Sequence, residues 1–119
     1  MALRAASPLA PFWFEPLDED GNTQGVKFQL KGLKALDLFD VNAAAIHSEG
    51  TVKWTSASVR LGLRMGLVGW EGLLDNDGNP VPFEKSIDNN ISRLSWTVMS
   101  QLFGQILDAS QLGVEQEKN

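Results

Sequence analysis

Residues 51–70 constrain the fold more than any other part of the chain, because two patterns of apolar residues compete within them. From Val59 to Leu67, apolar residues occupy every second position, which is the period of a half-buried strand. A helix would instead gather on one face the apolar residues Val52, Val59, Leu63, Leu67 and Trp70.

A row of small residues lies on another face of that helix, where a second backbone can approach closely. The row consists of Ser58, Gly62, Gly66 and Gly69. Each interior glycine costs a helix about 1 kcal/mol relative to alanine, so tertiary packing must hold such a helix in place. We predict a helix over residues 52–74, with a strand as the alternative for part of it.

The first 31 residues predict a β-hairpin that follows a flexible N-terminus at residues 1–10. Prolines flank the run Phe12-Trp13-Phe14, and proline fixes φ and removes an N–H, so this run is expected to be a short extended or edge element. Residues 18–22 are typical of a turn, and residues 26–31 alternate apolar with polar side chains. The hairpin is therefore predicted over residues 12–31.

Three further segments have helical patterns. The stripe Leu33, Leu36, Phe39, Ala43 and Ile46 predicts a helix over about residues 33–48. Ser86 is a candidate cap for a short helix at 87–92, and Ser95 is a candidate cap for a longer one at 96–110. Residues 113–119 are polar and are expected to fray.

Together these elements predict an α+β fold that is mainly α, with an N-terminal β-hairpin followed by three to four packed helices. A single globular domain is expected over residues 11–112, since 119 residues are within the usual size of one domain.

Composition excludes several functions. The chain contains no cysteine, so it cannot form a disulfide, a Cys-ligated zinc site or a thiol nucleophile, and a reducing cytoplasm is the simplest compartment. Ten basic and fifteen acidic residues give a net charge of -5 without a basic stripe, which argues against binding nucleic acid. No run of eighteen apolar residues occurs, so we expect no membrane span.

Candidate catalytic and metal sites are few. His47 is the only histidine, and near a predicted helix end it is expected to be a surface residue. The acidic segments 18–22 and 75–79 suggest calcium loops, but placing Gly78 at loop position six puts Leu73 where the first carboxylate belongs. We predict that both segments are turns held by Asp and Asn side chains, and we expect no metal, no cofactor and no enzymatic activity.

Four tryptophans and six phenylalanines belong either to the core or to a binding surface. We expect Trp54 and Trp96 in the core. Phe12, Trp13 and Phe14 are adjacent on an extended element, so both of its faces are apolar and one of them is expected to meet a partner.

Several motifs, in this order along the chain, resemble those of the tail assembly chaperones of long-tailed bacteriophages. The motifs are PFWF at 11–14, VKFQL at 26–30, LVGWEG at 67–72, DGNPVPF at 77–83, ISRLSW at 91–96 and the tail at 112–119. The resemblance covers most of residues 11–119.

The resemblance implies a non-enzymatic assembly factor in the cytoplasm of the host cell. Such a protein binds the tape measure protein, keeps it soluble, helps to recruit subunits of the tail-tube protein, and is absent from the mature virion. Self-association of the chain is a further expectation. Two alternatives remain: a structural subunit of the virion at the head-tail junction or tail terminus, and a small phage-encoded inhibitor of a host protein.

If the chain is such a chaperone, an apolar groove should receive an amphipathic segment of the tape measure protein. The groove residues that we expect are drawn from Trp70, Leu73, Leu74, Phe83, Leu102, Phe103 and Ile106.

Overall fold

A computed structural model describes the backbone of residues 9–118 and the side chains of residues 9–110. Of the predicted flexible N-terminus, residues 1–8 lie outside the described residues. The elements in chain order are β1 Phe12–Phe14, β2 Lys27–Leu30, α1 Ala35–Ala43, β3 Ile46–Ser48, β4 Thr51–Lys53, α2 Ser56–Gly66, β5 Leu67–Glu71, α3 Ile87–Ser92 and α4 Trp96–Lys118. This is the predicted α+β fold, with an N-terminal strand hairpin followed by helices.

The N-terminal hairpin forms two strands of a three-stranded antiparallel sheet with the order β1-β2-β5. Phe14 pairs with Phe28 across the hairpin, and Phe28 pairs with Trp70 of β5. The rings of Phe28 and Trp70 meet edge to face, with 6.1 Å between their centroids. The predicted hairpin over residues 12–31 is confirmed.

The helix predicted over residues 52–74 is wrong at its C-terminal end. The helix ends at Gly66, and residues Leu67–Glu71 form β5 because their backbone pairs with β2. The carbonyl of Gly66 also accepts a hydrogen bond from the N–H of Lys31, at 2.9 Å, which fastens the end of α2 to the sheet. The alternating run that suggested a strand is therefore helical up to Gly66, and the strand alternative is right only from Leu67 onward.

A second sheet corrects two further predictions. Residues 46–48, predicted to end the first helix, form β3, and residues 51–53, predicted to begin the next helix, form β4. Glu49 and Gly50 join these strands with φ values of 48° and 81°, as a two-residue hairpin turn requires. The helix α2 begins only after Thr55, whose side chain accepts a hydrogen bond from the N–H of Ser58.

The helix α1 turns a different face to the core from the one that the sequence pattern predicts. Leu38 and Val41 are buried, whereas Leu36 and Phe39 of the predicted stripe are 75% and 64% exposed. The prediction fails because Leu33 is buried before the helix begins, and Lys34 has extended backbone, so Leu33 does not set the phase of the helix.

Packing of α2 against α4 forms the centre of the core. A β-carbon at Gly62 would lie 2.6 Å from Phe103, and one at Gly66 would lie 2.6 Å from Ile106. Gly62 and Gly66 of the predicted small-residue row therefore receive α4, whereas Gly69 lies in β5 and near Gln29. The fully buried apolar residues of the core are Phe28, Leu30, Val41, Leu63, Leu102 and Ile106.

The start of α4 at Trp96 agrees with the prediction, but its end does not. The helix was predicted to stop near residue 110, and its backbone continues to Lys118 through most of the predicted polar tail, residues 113–119. The residues after 110 include several good helix formers and no proline, so the intrahelical hydrogen bonds continue.

Candidate functional site

The predicted groove residues of β5 and α4 are filled rather than open. Trp70, Leu102, Phe103 and Ile106 are buried members of the core. Phe103 and Ile106 do not line a surface groove, because they pack directly against Gly62 and Gly66 of α2. These four residues therefore belong to the core in this structure, and their part in binding a client stays a prediction.

The remaining residues of the predicted groove lie at one end of the sheet. Leu73 and Phe83 are partly buried against the core, and the rings of Phe83 and Trp70 are 4.9 Å apart, edge to face. The indole Nε1 of Trp70 donates a hydrogen bond of 2.7 Å to the carbonyl of Val81. Of this group, Leu74 alone is exposed, at 56%.

The three aromatic residues of β1 divide between the two faces of the sheet. Phe12 and Phe14 pack against the core, whereas Trp13 points away from it and is 47% exposed. Because β1 is at the edge of the sheet, Trp13 and the free side of the strand lie together on the surface.

A different groove lies between α2, α3 and the start of α4, with a cavity volume of about 480 Å³. We call it the α2–α4 groove. Its apolar lining consists of Ala57, Val59, Ile91, Leu94, Trp96 and Met99. This volume is within the range of about 300–1,000 Å³ that is usual for binding clefts.

The floor of the α2–α4 groove is continuous with the core, because Val59, Ile91 and Leu94 are core residues. Trp96 stands at the first position of α4 and is 55% exposed. Ser95 caps this helix end by accepting a hydrogen bond of 3.3 Å from the N–H of Val98. A large apolar side chain at the first helical position has no preceding turn beneath it, so Trp96 forms a wall of the groove.

The polar lining of the groove contains one cation without a partner among the described residues. Asp88 and Arg60 both line the groove, but the Asp88 carboxylate is paired with Arg64, with Nη2 and Oδ2 2.9 Å apart. Arg60 is exposed and forms no ion pair within residues 9–110. The charge that the groove offers to a ligand is therefore positive.

The expectation that Trp54 and Trp96 belong to the core is wrong, since both are exposed. Trp54 lies against the edge of the core, where its ring meets Phe103 edge to face at 5.4 Å. Leu36 and Phe39 of α1 are also exposed apolar side chains, and we call the surface that they form the α1 outer face.

The one histidine of the chain, His47, is exposed. His47 lies on an exposed strand, with Nε2 2.8 Å from the carbonyl oxygen of Asn42. Within the described residues, no three His, Cys, Asp or Glu side chains are placed to bind one metal ion. Residues 9–118 also contain no helix with the length and hydrophobicity needed to span a bilayer.

The two acidic segments are Asx-type turns, as predicted, and their geometry is the same. Asp18 Oδ1 accepts hydrogen bonds of 2.9 Å from the N–H groups of Asp20 and Asn22. Asp75 Oδ1 accepts bonds of the same length from residues 77 and 79.

Comparisons with models of protein families, with curated proteins and with solved structures found no match to this chain. The resemblance to tail assembly chaperones therefore depends on the sequence motifs alone.

The sequence pattern does not indicate the α2–α4 groove, and it predicts Trp96 in the core rather than at the groove. One signal was present: a short predicted helix ends shortly before Ser95-Trp96, which places a large ring at an uncovered helix start. Nothing in the local sequence pointed to Arg60, because its place in the groove depends on how α2, α3 and α4 pack.

Proposed function

We propose that the chain is a phage tail assembly chaperone that binds the tape measure protein, keeps it soluble and helps to recruit tail-tube subunits. The motifs at residues 11–14, 26–30, 67–72, 77–83 and 91–96 support this assignment through their resemblance to that family. In this proposal the protein acts in the cytoplasm of the host cell and is absent from the mature virion.

The observation that carries the proposal is the α1 outer face. Leu36 and Phe39 are large apolar side chains on a helix whose opposite side already contributes Leu38 and Val41 to the core. Exposed apolar side chains next to one another on a surface mark sites of interaction with other proteins. A tape measure protein with long apolar stripes is a suitable client for such a surface.

Release is as important as binding for this function, because tube subunits must replace the chaperone. Dispersed surfaces, such as the α1 outer face and the α2–α4 groove, allow several weak contacts that can dissociate in turn. Weak binding usually reflects a fast dissociation rate rather than a slow association rate. Several weak contacts therefore favour rapid release of the client.

Co-expression with the tape measure protein tests the proposal. We expect the chain to increase the yield of tape measure protein in the soluble fraction and to co-purify with it. An unchanged soluble yield, together with no co-purification, would contradict the proposal.

One observation favours a second candidate function, a structural subunit of the virion. Trp13 is exposed on β1, which is an edge strand, and an edge with an apolar side chain can pair with a neighbouring subunit in a ring. Mass spectrometry of purified particles separates the two functions, because a structural subunit is present at fixed copy number and a chaperone is not.

A further inference from the structure

We infer that the α2–α4 groove binds an amphipathic helix of the client, the tape measure protein. In this helix, an Asp or Glu lies within one turn of the apolar anchor and pairs with Arg60. The inference rests on the proposed function for the identity of the partner. The chemistry of the partner follows from the groove itself.

The apolar floor determines the first part of this inference. Val59, Ile91 and Leu94 form a floor that is joined to the core, and Trp96 and Met99 border it. Such a floor favours apolar side chains, since burying them removes apolar surface from water on both partners. A cavity of about 480 Å³ has room for apolar anchors of a partner.

The walls determine that the partner is a helix. Side chains of α2, α3 and α4 line most of the groove, and no strand of the described chain borders it. An extended peptide would find no strand edge to pair with here, whereas a helix satisfies its own backbone N–H and C=O groups. Helix-in-groove binding is the recognition mode that fits these walls.

Charge determines which helix binds. Arg64 pairs with Asp88 at 2.9 Å, so Arg60 is the cation of the groove that remains available within residues 9–110. The first turns of α2 and α4 contain no acidic residue, so the partial positive charge of these helix starts has the same sign as Arg60. In a chain of net charge -5, this positive site selects a client segment that is locally acidic.

The experiment uses the full chain and synthetic 20-residue peptides that together cover the tape measure protein. Binding is measured by fluorescence anisotropy of each labelled peptide. We expect the bound peptides to contain an Asp or Glu within one helical turn of a large apolar residue. Binding only by peptides without such an acidic residue would overturn the inference.

Arg60→Glu is the decisive variant, and Arg93→Glu is its control. Arg93 is exposed at the end of α3 and does not line the groove, so the two variants make the same charge change at different places. We expect Arg60→Glu to weaken binding about fivefold, and Arg93→Glu to change it less than twofold. Replacing the acidic residue of the peptide by Lys should restore binding to the Arg60→Glu protein, and equal effects of the two variants would overturn the inference.

A second pair of variants tests the cavity without altering charge. Ala57 is exposed and lines the groove, so Ala57→Trp should fill part of it and weaken peptide binding about tenfold. Ser100→Trp adds the same ring to an exposed position of α4 outside the groove and should have little effect. Undiminished binding by Ala57→Trp would contradict occupation of the groove.

Co-purification with the full-length tape measure protein separates the two proposals. If the wild-type chain does not associate with the tape measure protein, the proposed function fails. If it associates and Arg60→Glu binds equally well, the groove inference fails and the function stands. If Arg60→Glu instead alters self-association in sedimentation velocity and leaves client binding unchanged, the occupant is a second copy of this chain and the inference is overturned.

Discussion

The ring of Phe103 covers the α-carbon of Gly62, at a distance where a β-carbon on Gly62 would lie 2.6 Å from Phe103 Cδ1. One helical turn further along, Ile106 covers Gly66 in the same way. The contacts advance in the same direction along both helices, so α2 and α4 lie side by side, with Phe103 and Ile106 of α4 against the small residues of α2. This contact buries Phe103 and Ile106, which explains why they do not form an open groove.

Gly62→Ala should lower the free energy of unfolding by about 1 kcal/mol. Displacing the buried Phe103 ring costs about 1–3 kcal/mol. The higher helix propensity of alanine offsets about 1 kcal/mol of this cost. Urea denaturation followed by tryptophan fluorescence measures the change. Gly104→Ala is the matched control, since a β-carbon there meets nothing within 4 Å, and it should stabilise the protein by about 0.5–1 kcal/mol. Equal stabilisation of both variants would show that Phe103 does not approach Gly62 as closely as described.

Ser110→Ala should destabilise the protein by about 1–2 kcal/mol. The buried hydroxyl of Ser110 accepts a hydrogen bond from the N–H of Leu33 and donates one to the carbonyl of Ile106, both at 2.7 Å. Removing the hydroxyl leaves the Leu33 N–H buried without this acceptor. Ser100→Ala, at an exposed position of α4, should change stability by less than about 0.5 kcal/mol. Equal stabilities of the two variants would show that the Ser110 bonds contribute nothing.

Asp75→Ala should destabilise the protein by about 0.5–1 kcal/mol, since its carboxylate accepts two backbone hydrogen bonds in an exposed turn. Asp77→Ala is the control, because the Asp77 carboxylate forms no hydrogen bond among the described residues, although its backbone N–H does. Thermal unfolding should show a lower melting temperature for Asp75→Ala than for Asp77→Ala. The opposite order would contradict the assigned turn geometry.

The double variant Leu36→Ser/Phe39→Ser should bind the tape measure protein less well without unfolding. Both side chains are exposed, so the free energy of unfolding should change by less than about 0.5 kcal/mol for each substitution. Co-purified tape measure protein, quantified relative to the chain, should fall several-fold. Leu17→Ser, at an exposed position in the loop between β1 and β2, is the control and should leave the ratio unchanged. An equal loss in the control would mean that the α1 outer face has no special part in binding.

Elements with a local signal could be predicted from the sequence. The hairpin of β1 and β2 follows from prolines, turn residues and alternation, and α3 follows from Ser86, whose side chain accepts a hydrogen bond from the N–H of Asn89. The start of α4 follows from Ser95 in the same way. In each of these elements, the residues that determine the structure are close together in the chain.

Elements that depend on distant partners could not be predicted in this way. The strand β5 follows α2 directly, and only its pairing with β2, about forty residues earlier, ends the helix at Gly66. The turn at Glu49-Gly50 lacks the Asn-Gly or Asp-Gly sequence that usually marks a two-residue hairpin, so β3 and β4 were assigned to helices. For the binding surface, apolar periodicity correctly places Phe103 and Ile106 on the apolar face of α4. It cannot show that α2 packs over this face.

Aggregation of the tape measure protein is the most direct assay of the proposed chaperone function. The tape measure protein is diluted from denaturant, and light scattering is followed with and without an equimolar amount of this chain. We predict that the wild-type chain suppresses scattering and that Leu36→Ser/Phe39→Ser and Arg60→Glu suppress it less. Scattering that rises equally with and without the wild-type chain would contradict the proposed chaperone function.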